Sequence, residues 1–305
     1  MSKRPWRKRL VALGLALWLT IGVLGSAPYA SSGQSPPPSQ GRHTPEVLGE
    51  APRTPSPTPA TASQVHGRGY VPPPVDLSHL DGRWRLAGDL AALAALPPNW
   101  DWRKQGVITR VQDQETCGAC YGFGTLASFE SQLLIAGEGS YDFSEKHAVF
   151  CNYPALHVDG LGGCYGGNIW MVTNLYSTQG SVVEVCDPWN DDDRTCRPTC
   201  PFIKAVTEMW ALAGPTVPPT DMLKNWLCTY GPLYVSLDAG STYAWEIEFS
   251  SYDGSYTIYH PMDDPQLDHA VLLVGWDDSL PHAGGTGGWI VKNSWGTDWG
   301  GTCGY

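Results

Sequence analysis

The chain has 305 residues, which is enough for one large domain or two small ones with appendages. Its 30 acidic residues outnumber the 19 lysines and arginines, and the formal net charge is −11. Several of the basic residues lie within the first ten positions, so the rest of the chain is more acidic still. This balance argues against nucleic acid or an anionic membrane as a partner and fits a soluble secreted protein.

Residues 1–30 have the features of a secretory signal peptide. A basic opening is followed by an apolar run from Leu10 to Leu24, and small residues follow it. The run is short for a membrane span, and an uncleaved anchor at the cell surface is the alternative. We expect cleavage after Ala27 or Ala30 and a secreted, extracellular product.

Two segments separate this leader from the rest of the chain. Residues 31–75 hold 11 of the 26 prolines, with Ser, Thr and Gly and no apolar periodicity. This composition predicts an extended, disordered spacer of polyproline character without a specific partner. Residues 76–96 end in an Ala and Leu run that predicts one short helix, either a packing helix, which we favour, or a cover over a cleft.

The stretch QDQETCGACYGFGTLASFE contains two cysteines, Cys117 and Cys120, three positions apart. Apolar residues at helical spacing follow, which predicts a helix over 121–136 that stops at Gly137. Cys120 then lies at a helix N-terminus, where unpaired backbone N–H groups stabilise a thiolate. The Gln114 amide is suited to donate a hydrogen bond to a developing oxyanion.

Three kinds of site are compatible with the cysteine pair alone. A Cys-x-x-Cys at the head of a helix is typical of thioredoxin-like redox sites, and it can also supply half of a zinc site. The same stretch resembles the segment around the nucleophile of papain-like cysteine peptidases. The pair by itself favours the peptidase and leaves the other two open.

Two downstream motifs extend the resemblance to the papain family. His269 lies in LDHAVLLVGW, an apolar run that predicts a strand, and Asn293 lies in KNSWG. A thioredoxin-like protein needs neither motif, and a zinc site does not need Gln114. Tyr121 stands where the family usually has Trp. The three motifs, in this order, identify residues 97–305 as a papain-like domain.

The resemblance implies a role for each of these residues. Cys120 is the nucleophile, His269 takes its proton, and Asn293 orients the imidazole ring. Gln114 and the Cys120 backbone N–H hold the oxyanion. Trp295, which we group with the substrate-binding residues, shields the hydrogen bond between His269 and Asn293 from water.

Substrate-binding residues also follow from the resemblance. The backbone of Gly166 and Gly167 is expected to pair with an extended polypeptide, and an ordinary turn is the alternative for these glycines. Ile169, Leu267 and Ala270 are expected to line a pocket for an apolar side chain two residues before the cleaved bond.

The nine cysteines are compatible with four disulfides and one free thiol, and two or three free thiols are the alternative. Disulfides in this number indicate an oxidising compartment. The family resemblance implies the pairs Cys117–Cys164 and Cys151–Cys196. Cys186 and Cys200 flank Cys196 and are candidates for a third pair. A zinc site at Cys196 and Cys200 is the disfavoured alternative, because no histidine lies nearby.

The fold class implied is α+β with two lobes, a helical left lobe and an antiparallel, β-barrel-like right lobe. SYDFSEKHAVFC matches the second helix of the left lobe and closes at Cys151. The right lobe is predicted from four runs, GPLYVSLDA, YDGSYTIYH, LDHAVLLVGWD and GGWIVKNSWG, and Asp277–Gly288 predicts an exposed loop. Family members continue past the Gly-Tyr pair at Tyr305, so we expect the right lobe to lack its last strand.

The predicted function is that of a secreted, monomeric cysteine endopeptidase that acts on polypeptides and needs no metal or cofactor. The alternative is an inactive papain-like protein that only binds extended chains, because the final strand is missing. Iodoacetamide labelling near neutral pH separates the two, since a low-pKa thiolate at Cys120 reacts fast and a buried thiol does not.

Overall fold

The computed structural model describes residues 66–74, 76, 78, 96–196, 199–212, 217–261 and 266–305. The predicted signal peptide, most of the predicted spacer and the predicted helix within 76–96 lie outside the described residues. Within the described ranges, no helix combines the length and the apolar character that a membrane crossing requires.

One short strand precedes the helices in the described chain, and the other three strands lie in its last third. The helices are α1 (Cys120–Ala136), α2 (Glu145–Phe150), α3 (Tyr153–His157), α4 (Ile169–Thr178), α5 (Thr220–Tyr230), α6 (Tyr243–Ser250) and α7 (Trp299–Thr302). The strands are β1 (Asn99–Asp101), β2 (Leu233–Leu237), β3 (His269–His282) and β4 (Gly285–Lys292). The α+β fold class is confirmed.

The central element is α1, which packs against α2 and α4 and also against β2 and β3. It ends where the sequence predicted. Gly137 has a φ of 74°, a left-handed conformation that costs little only for glycine, and its N–H donates to the carbonyls of Leu133 and Leu134. Because helices lie on one flank and strands on another, most of α1 is buried.

The helical lobe has its own apolar core. Large side chains of α1, α2 and α4 meet there with Phe143, which lies just before α2; among them are Tyr121, Leu126, Val149 and Tyr176. The second predicted helix is confirmed as α2, which is capped by the Ser144 side chain and followed by Cys151. This core fixes the N-terminal end of α1.

Three disulfides cross-link the helical lobe and the loop that follows it. They are Cys117–Cys164, Cys151–Cys196 and Cys186–Cys200. The two pairs implied by the resemblance are therefore confirmed, and so is the third. Cys120, Cys228 and Cys303 are free, so the chain has three free thiols and not the single one that four bridges would leave. Zinc at Cys196 and Cys200 is excluded, because both sulfurs are in disulfides.

The sheet is antiparallel and is built around the long strand β3. β2 pairs with the first half of β3, and β1 pairs farther along. β4 pairs with the other edge of β3 along both of these stretches. β1 and β2 therefore lie one after the other along the same edge of β3. Leu272, Val274 and Trp276 of β3 are buried between this sheet and its neighbours. The described strands form an open sheet, not a closed barrel.

Two sequence predictions for this lobe are wrong. The expected loop over 277–288 is mostly a β-hairpin, because β3 continues to His282 and β4 begins at Gly285. The run YDGSYTIYH forms no strand. There Asp253 accepts the Ser255 N–H at 2.9 Å and Gly254 has a φ of 75°, so the backbone turns before it can align with a neighbour.

Candidate active site

The sulfur of Cys120 lies at the N-terminal end of α1 and is fully buried. Backbone N–H groups of Ala270, Gly69 and Tyr121 hydrogen-bond to it and favour the thiolate. Burial has the larger effect and raises the pKa of the Cys120 thiol to about 12. The predicted position of Cys120 at the start of the helix is confirmed, whereas burial favours the thiol over the expected anion.

His269 and Asn293 are held together by the β3–β4 pairing. His269 begins β3, and Asn293 follows the last residue of β4. The His269 Nε2 and the Asn293 Oδ1 are 2.8 Å apart. The same Oδ1 accepts the Ser294 N–H at 2.8 Å, which orients the amide. Because an amide oxygen can only accept, Nε2 carries the proton and Nδ1 keeps a lone pair.

That lone pair lies in the same buried region as the Cys120 sulfur. The Ala270 N–H, adjacent to His269 in the chain, points at the sulfur. His269 Nδ1 is buried and has no hydrogen-bond partner among the described residues. Burial lowers the pKa of His269 to about 4, although the bond to Asn293 acts in the opposite direction. The imidazole is therefore neutral, and its free nitrogen can accept a proton.

Trp295 covers the His269–Asn293 pair, as the sequence predicted for its position. The Trp295 and His269 ring centroids are 4.8 Å apart, and Trp295 is only 2% exposed. Phe249 packs edge-on against Trp295 at 5.4 Å. His66 stacks on Trp295 with centroids 5.3 Å apart. These aromatic rings exclude water from the hydrogen bond below them.

The Gln114 side chain is fully buried and fully hydrogen-bonded. Its Nε2 donates to the Cys117 carbonyl and to the Gly67 carbonyl, each at 2.8 Å. Its Oε1 accepts from the Ser294 Oγ at 2.6 Å, so the hydroxyl fixes which way the amide faces. Sequence analysis missed Ser294, although the residue lies within the KNSWG motif.

An upstream segment, residues 66–71, lies across these groups, and we call it the strap. The Gly67 carbonyl takes a Gln114 hydrogen bond, and the Gly69 N–H reaches the Cys120 sulfur. The Tyr70 N–H donates to the Asp268 carbonyl at 2.9 Å. The strap belongs to the predicted spacer, for which no specific partner was expected. It instead makes specific contacts with the catalytic candidates.

Glycine is required at two positions of the strap because its backbone runs against the backbone of the helical lobe. A Cβ at Gly67 would come within 2.3 Å of the Cys117 oxygen. At Gly69 it would come within 1.9 Å of the Gly118 oxygen. Both distances are too short for any side chain. The strap can therefore approach the backbone of Cys117 and Gly118 this closely only with glycine at positions 67 and 69.

The predicted peptide-pairing glycines contact the strap. The Gly167 N–H donates to the Gly69 carbonyl at 2.8 Å, and the Val71 N–H donates to the Gly167 carbonyl at 2.9 Å. The resulting bridge is parallel. A Cβ at Gly166 would come within 2.7 Å of the Gly69 oxygen, so this glycine also permits the close approach.

The residues predicted to form the apolar pocket flank the strap. Ile169 follows Asn168, whose amide donates to the Val71 carbonyl at 3.0 Å. Leu267 precedes Asp268, which binds the Tyr70 N–H, and it is 42% exposed. Ala270 is fully buried. Ile169 and Leu267 are therefore chain neighbours of residues that bind the strap at Val71 and Tyr70.

Comparison with known proteins gives a consistent result. Residues 96–305 match the family model described as papain family cysteine protease. The chain is 35% identical over 209 residues to cysteine proteinase 1 of Entamoeba histolytica, which covers 67% of this chain and 61% of that protein. A cathepsin L-like proteinase of Fasciola hepatica is 32% identical over 208 residues, covering 68% and 58%. The chain thus spans about three-fifths of the length of these relatives.

Solved structures with a similar fold include two precursor forms. A recombinant stem bromelain precursor has a TM-score of 0.58 and 25% identity, covering 78% of this chain and 69% of that one. The digestive procathepsin L2 proteinase from Tenebrio molitor larval midgut has a TM-score of 0.53 and 30% identity, covering 68% and 61%. Among the described residues of our chain, no group of three or more His, Cys, Asp or Glu side chains is arranged to hold a metal ion.

Proposed function

The chain belongs to the papain family of cysteine proteases, and from that premise we propose that it hydrolyses peptide bonds with Cys120 as nucleophile. The observation that carries the proposal is the 2.8 Å contact between His269 Nε2 and Asn293 Oδ1, which leaves Nδ1 free. An unpartnered, buried ring nitrogen in the same region as a buried thiol is suited to take the thiol proton.

The proposed reaction proceeds in two halves. His269 Nδ1 takes the Cys120 proton, and the sulfur attacks the peptide carbonyl carbon while the C=O electron pair moves to oxygen. Gln114 Nε2 and the Cys120 backbone N–H stabilise that oxyanion. His269 then gives its proton to the leaving amine, which leaves a thioester. Water, deprotonated by His269, hydrolyses the thioester and restores the thiol.

We infer that the chain is latent while the strap lies in the cleft. A substrate needs the Gln114 donor, access to the Cys120 sulfur and the Gly167 backbone, and the strap contacts all three. Because the strap is covalently attached, its effective concentration is far above that of a free peptide. Catalysis therefore requires the strap to leave or be cleaved.

The finer features of the function are also proposals. A preference for an apolar side chain two residues before the cleaved bond, in a pocket of Ile169, Leu267 and Ala270, is supported by the strap contacts of Asn168 and Asp268, which adjoin Ile169 and Leu267. Export of the protein is supported by three disulfides, which form in oxidising compartments. Polypeptides are the proposed substrates, as the family implies, and the protein is proposed to act as a monomer.

An inactive, peptide-binding protein is the second candidate. The occupied cleft favours it, and so does the pKa of about 12 that burial gives Cys120. The two candidates differ in what happens when the strap is displaced. An enzyme gains hydrolysis and a reactive thiol, whereas a binding protein gains only affinity for extended chains.

The test compares the full chain with a Gly69→Ala variant. The new methyl group on the strap has no room against the Gly118 backbone below it. Both proteins are assayed with quenched peptides that carry an apolar residue two positions before the intended bond. We expect hydrolysis by the variant that disappears when Cys120→Ala is added and persists when Cys228→Ala is added instead. Folded protein that cleaves no peptide between pH 4 and pH 8 in either form would contradict the proposal.

A further inference from the structure

The guanidinium group of Arg68, in the strap, is held by three acceptors. Its Nη2 lies 3.0 Å from Glu246 Oε1, and its Nε lies 3.3 Å from Asp268 Oδ2. Its Nη1 donates to the Ala239 carbonyl at 3.2 Å. The acceptors come from α6, from the residue before β3 and from the loop after β2. Together they fit the planar donor set of arginine.

The loop after β2 shapes this site. At Gly240 a Cβ would come within 1.6 Å of Arg68 Nη1, so the missing side chain makes the space for the guanidinium. Asp238 holds the loop by accepting the Gly240 and Ser241 N–H groups at 3.0 and 2.9 Å. Asp268 Oδ1 accepts the Ala239 N–H at 2.8 Å, which fixes the carboxylate. The acceptors are therefore positioned by the fold itself, independently of the strap.

This site needs a cation to balance its charge. Glu246 and Asp268 are only 40% and 30% exposed at the side chain, and Asp238 adds further negative charge close to Asp268. Partly buried carboxylates that face the same space repel each other unless a positive group lies between them. When the strap leaves, Arg68 leaves with it, and the carboxylates lose their partner.

The position of the site relative to Cys120 decides which part of a substrate reaches it. Val71 pairs with Gly167, the backbone that we assign to the residues before the cleaved bond. Gly69 lies at the Cys120 sulfur. Because Val71 and Arg68 lie on opposite sides of Gly69 in the chain, we infer that Arg68 lies beyond the sulfur from Val71. The Arg68 side chain therefore occupies the region of the fragment that leaves after the first half-reaction.

We propose that the guanidinium pocket, defined as Ala239, Gly240, Glu246 and Asp268, is a specificity subsite for an arginine or lysine directly after the cleaved bond. The inference rests on the proposed peptidase function and extends it to the substrate class. Arginine is preferred over lysine, because its fork of N–H donors matches two carboxylates and a carbonyl, whereas an ammonium group is a point charge.

The test uses full-length chain carrying Gly69→Ala, which lifts the strap from the cleft, together with Arg68→Ala, so that the strap no longer competes for the pocket. Quenched peptides differ only in the residue after the bond, which is Arg, Lys, Ala or Glu. We expect kcat/KM for the Arg peptide to exceed that for the Ala peptide roughly tenfold, as two charge-assisted hydrogen bonds allow. Adding Glu246→Gln should reduce this ratio to about twofold.

The matched control is Glu248→Gln, because Glu248 lies on the same helix, is exposed and makes none of the contacts to Arg68. It should leave the ratio unchanged. Hydrolysis without a basic preference, or a preference that Glu246→Gln does not reduce, overturns the subsite and leaves the proposed function standing.

If no peptide is cleaved, the proposed peptidase function is contradicted. A binding measurement then tests the subsite separately. Full-length chain with Cys120→Ala, Gly69→Ala and Arg68→Ala is titrated with fluorescent Arg and Ala versions of the same peptide. Tighter binding of the Arg peptide, lost on Glu246→Gln, supports the subsite without catalysis. Equal affinities for the two peptides overturn it.

Discussion

The side-chain amide of Gln114 donates a 2.8 Å hydrogen bond to the backbone carbonyl of Gly67. The donor proposed for the oxyanion is thus already satisfied by a carbonyl of the same chain. The Gly69 N–H reaches the Cys120 sulfur, so an amide, and not a carbonyl carbon, faces the nucleophile. The strap therefore imitates the hydrogen bonding of a substrate without presenting a bond that can be attacked.

Replacing Gly69 with alanine should expose Cys120. The new Cβ would lie 1.9 Å from the Gly118 oxygen, so the strap must lift away from the sulfur. We expect iodoacetamide to alkylate Cys120 at least tenfold faster at pH 7, because access and solvation both increase. The rate is measured by mass spectrometry of the peptide that contains Cys120.

The control for this substitution is Gly106→Ala. Gly106 has a left-handed φ of 69° and no atom within 4 Å of a Cβ, so alanine there strains the backbone but contacts nothing. It should leave alkylation of Cys120 as slow as in the wild type. Equal rates in wild type, Gly69→Ala and Gly106→Ala would mean that the strap does not protect the sulfur.

The pH dependence of alkylation gives a second prediction. Burial raises the pKa of Cys120 to about 12, and only the thiolate reacts. Below pH 12 the labelling rate of the wild-type chain should therefore rise roughly tenfold with each pH unit. In Gly69→Ala the rise should occur at lower pH, since water and the His269 nitrogen then stabilise the charge separation.

The exposed Cys303 thiol serves as the internal reference in both proteins. Its labelling should follow the same pH profile with and without the strap substitution. A wild-type Cys120 that is alkylated equally fast at pH 6 and pH 9 would show that the thiolate is already formed beneath the strap.

Ser294 should act as a positioning residue for Gln114. Its hydroxyl donates to Gln114 Oε1 at 2.6 Å, which keeps Nε2 facing the oxyanion position. In the Gly69→Ala chain, we expect Ser294→Ala to lower kcat by about tenfold with little change in KM, because the lost orientation weakens oxyanion stabilisation alone.

Rescue distinguishes this role from a general loss of packing. Ser294→Thr keeps the hydroxyl and should restore most of kcat. If Ser294→Ala raises KM and leaves kcat intact, or if threonine fails to restore the rate in a folded protein, Ser294 does not position the amide.

The parts of the site that the sequence predicted are those carried by local pattern or by motif. The 3.6-residue spacing and Gly137 predicted α1 almost to the residue, because amphipathic helices and glycine stops have local causes. The order of Cys120, His269 and Asn293 pointed to one site, although they lie far apart in the chain. The fold brings His269 and Asn293 into contact through β3–β4 pairing, which no local pattern specifies.

The strap and the hairpin were missed for a physical reason that they share. Both are glycine-rich, and glycine weakens any sequence signal for ordered structure. In the strap, glycines 67 and 69 bind through their backbone. Their contacts therefore produce no side-chain pattern from which the sequence could predict them. In the hairpin, pairing with β3 outweighs the low strand propensity of Gly285 and Gly288. The high pKa of Cys120 was missed because burial is a property of the whole fold.

The buried carboxyl group of Glu130 gives a prediction for stability. Its Oε1 accepts the Phe143 N–H at 2.9 Å, and its Oε2 contacts the Thr109 hydroxyl at 2.7 Å. Burial raises the pKa of Glu130 to about 7, although these bonds and Lys292 act in the opposite direction. The folded protein therefore holds the proton more tightly than the unfolded chain does. The resulting stability is fully present below pH 4.5 and is lost as pH rises to about 7.

Glu130→Gln should remove this part of the pH dependence, because the amide imitates the protonated acid and keeps both contacts. Each pH unit of pKa difference corresponds to about 1.4 kcal/mol, so the wild type should lose up to about 3 kcal/mol more than the variant between pH 4.5 and pH 8. Urea unfolding at the two pH values, with the disulfides intact, measures the difference. The exposed Glu138, near the end of the same helix, supplies the control Glu138→Gln, which should keep the wild-type slope. If Glu130→Gln also keeps that slope, the buried carboxyl is not protonated in the folded protein.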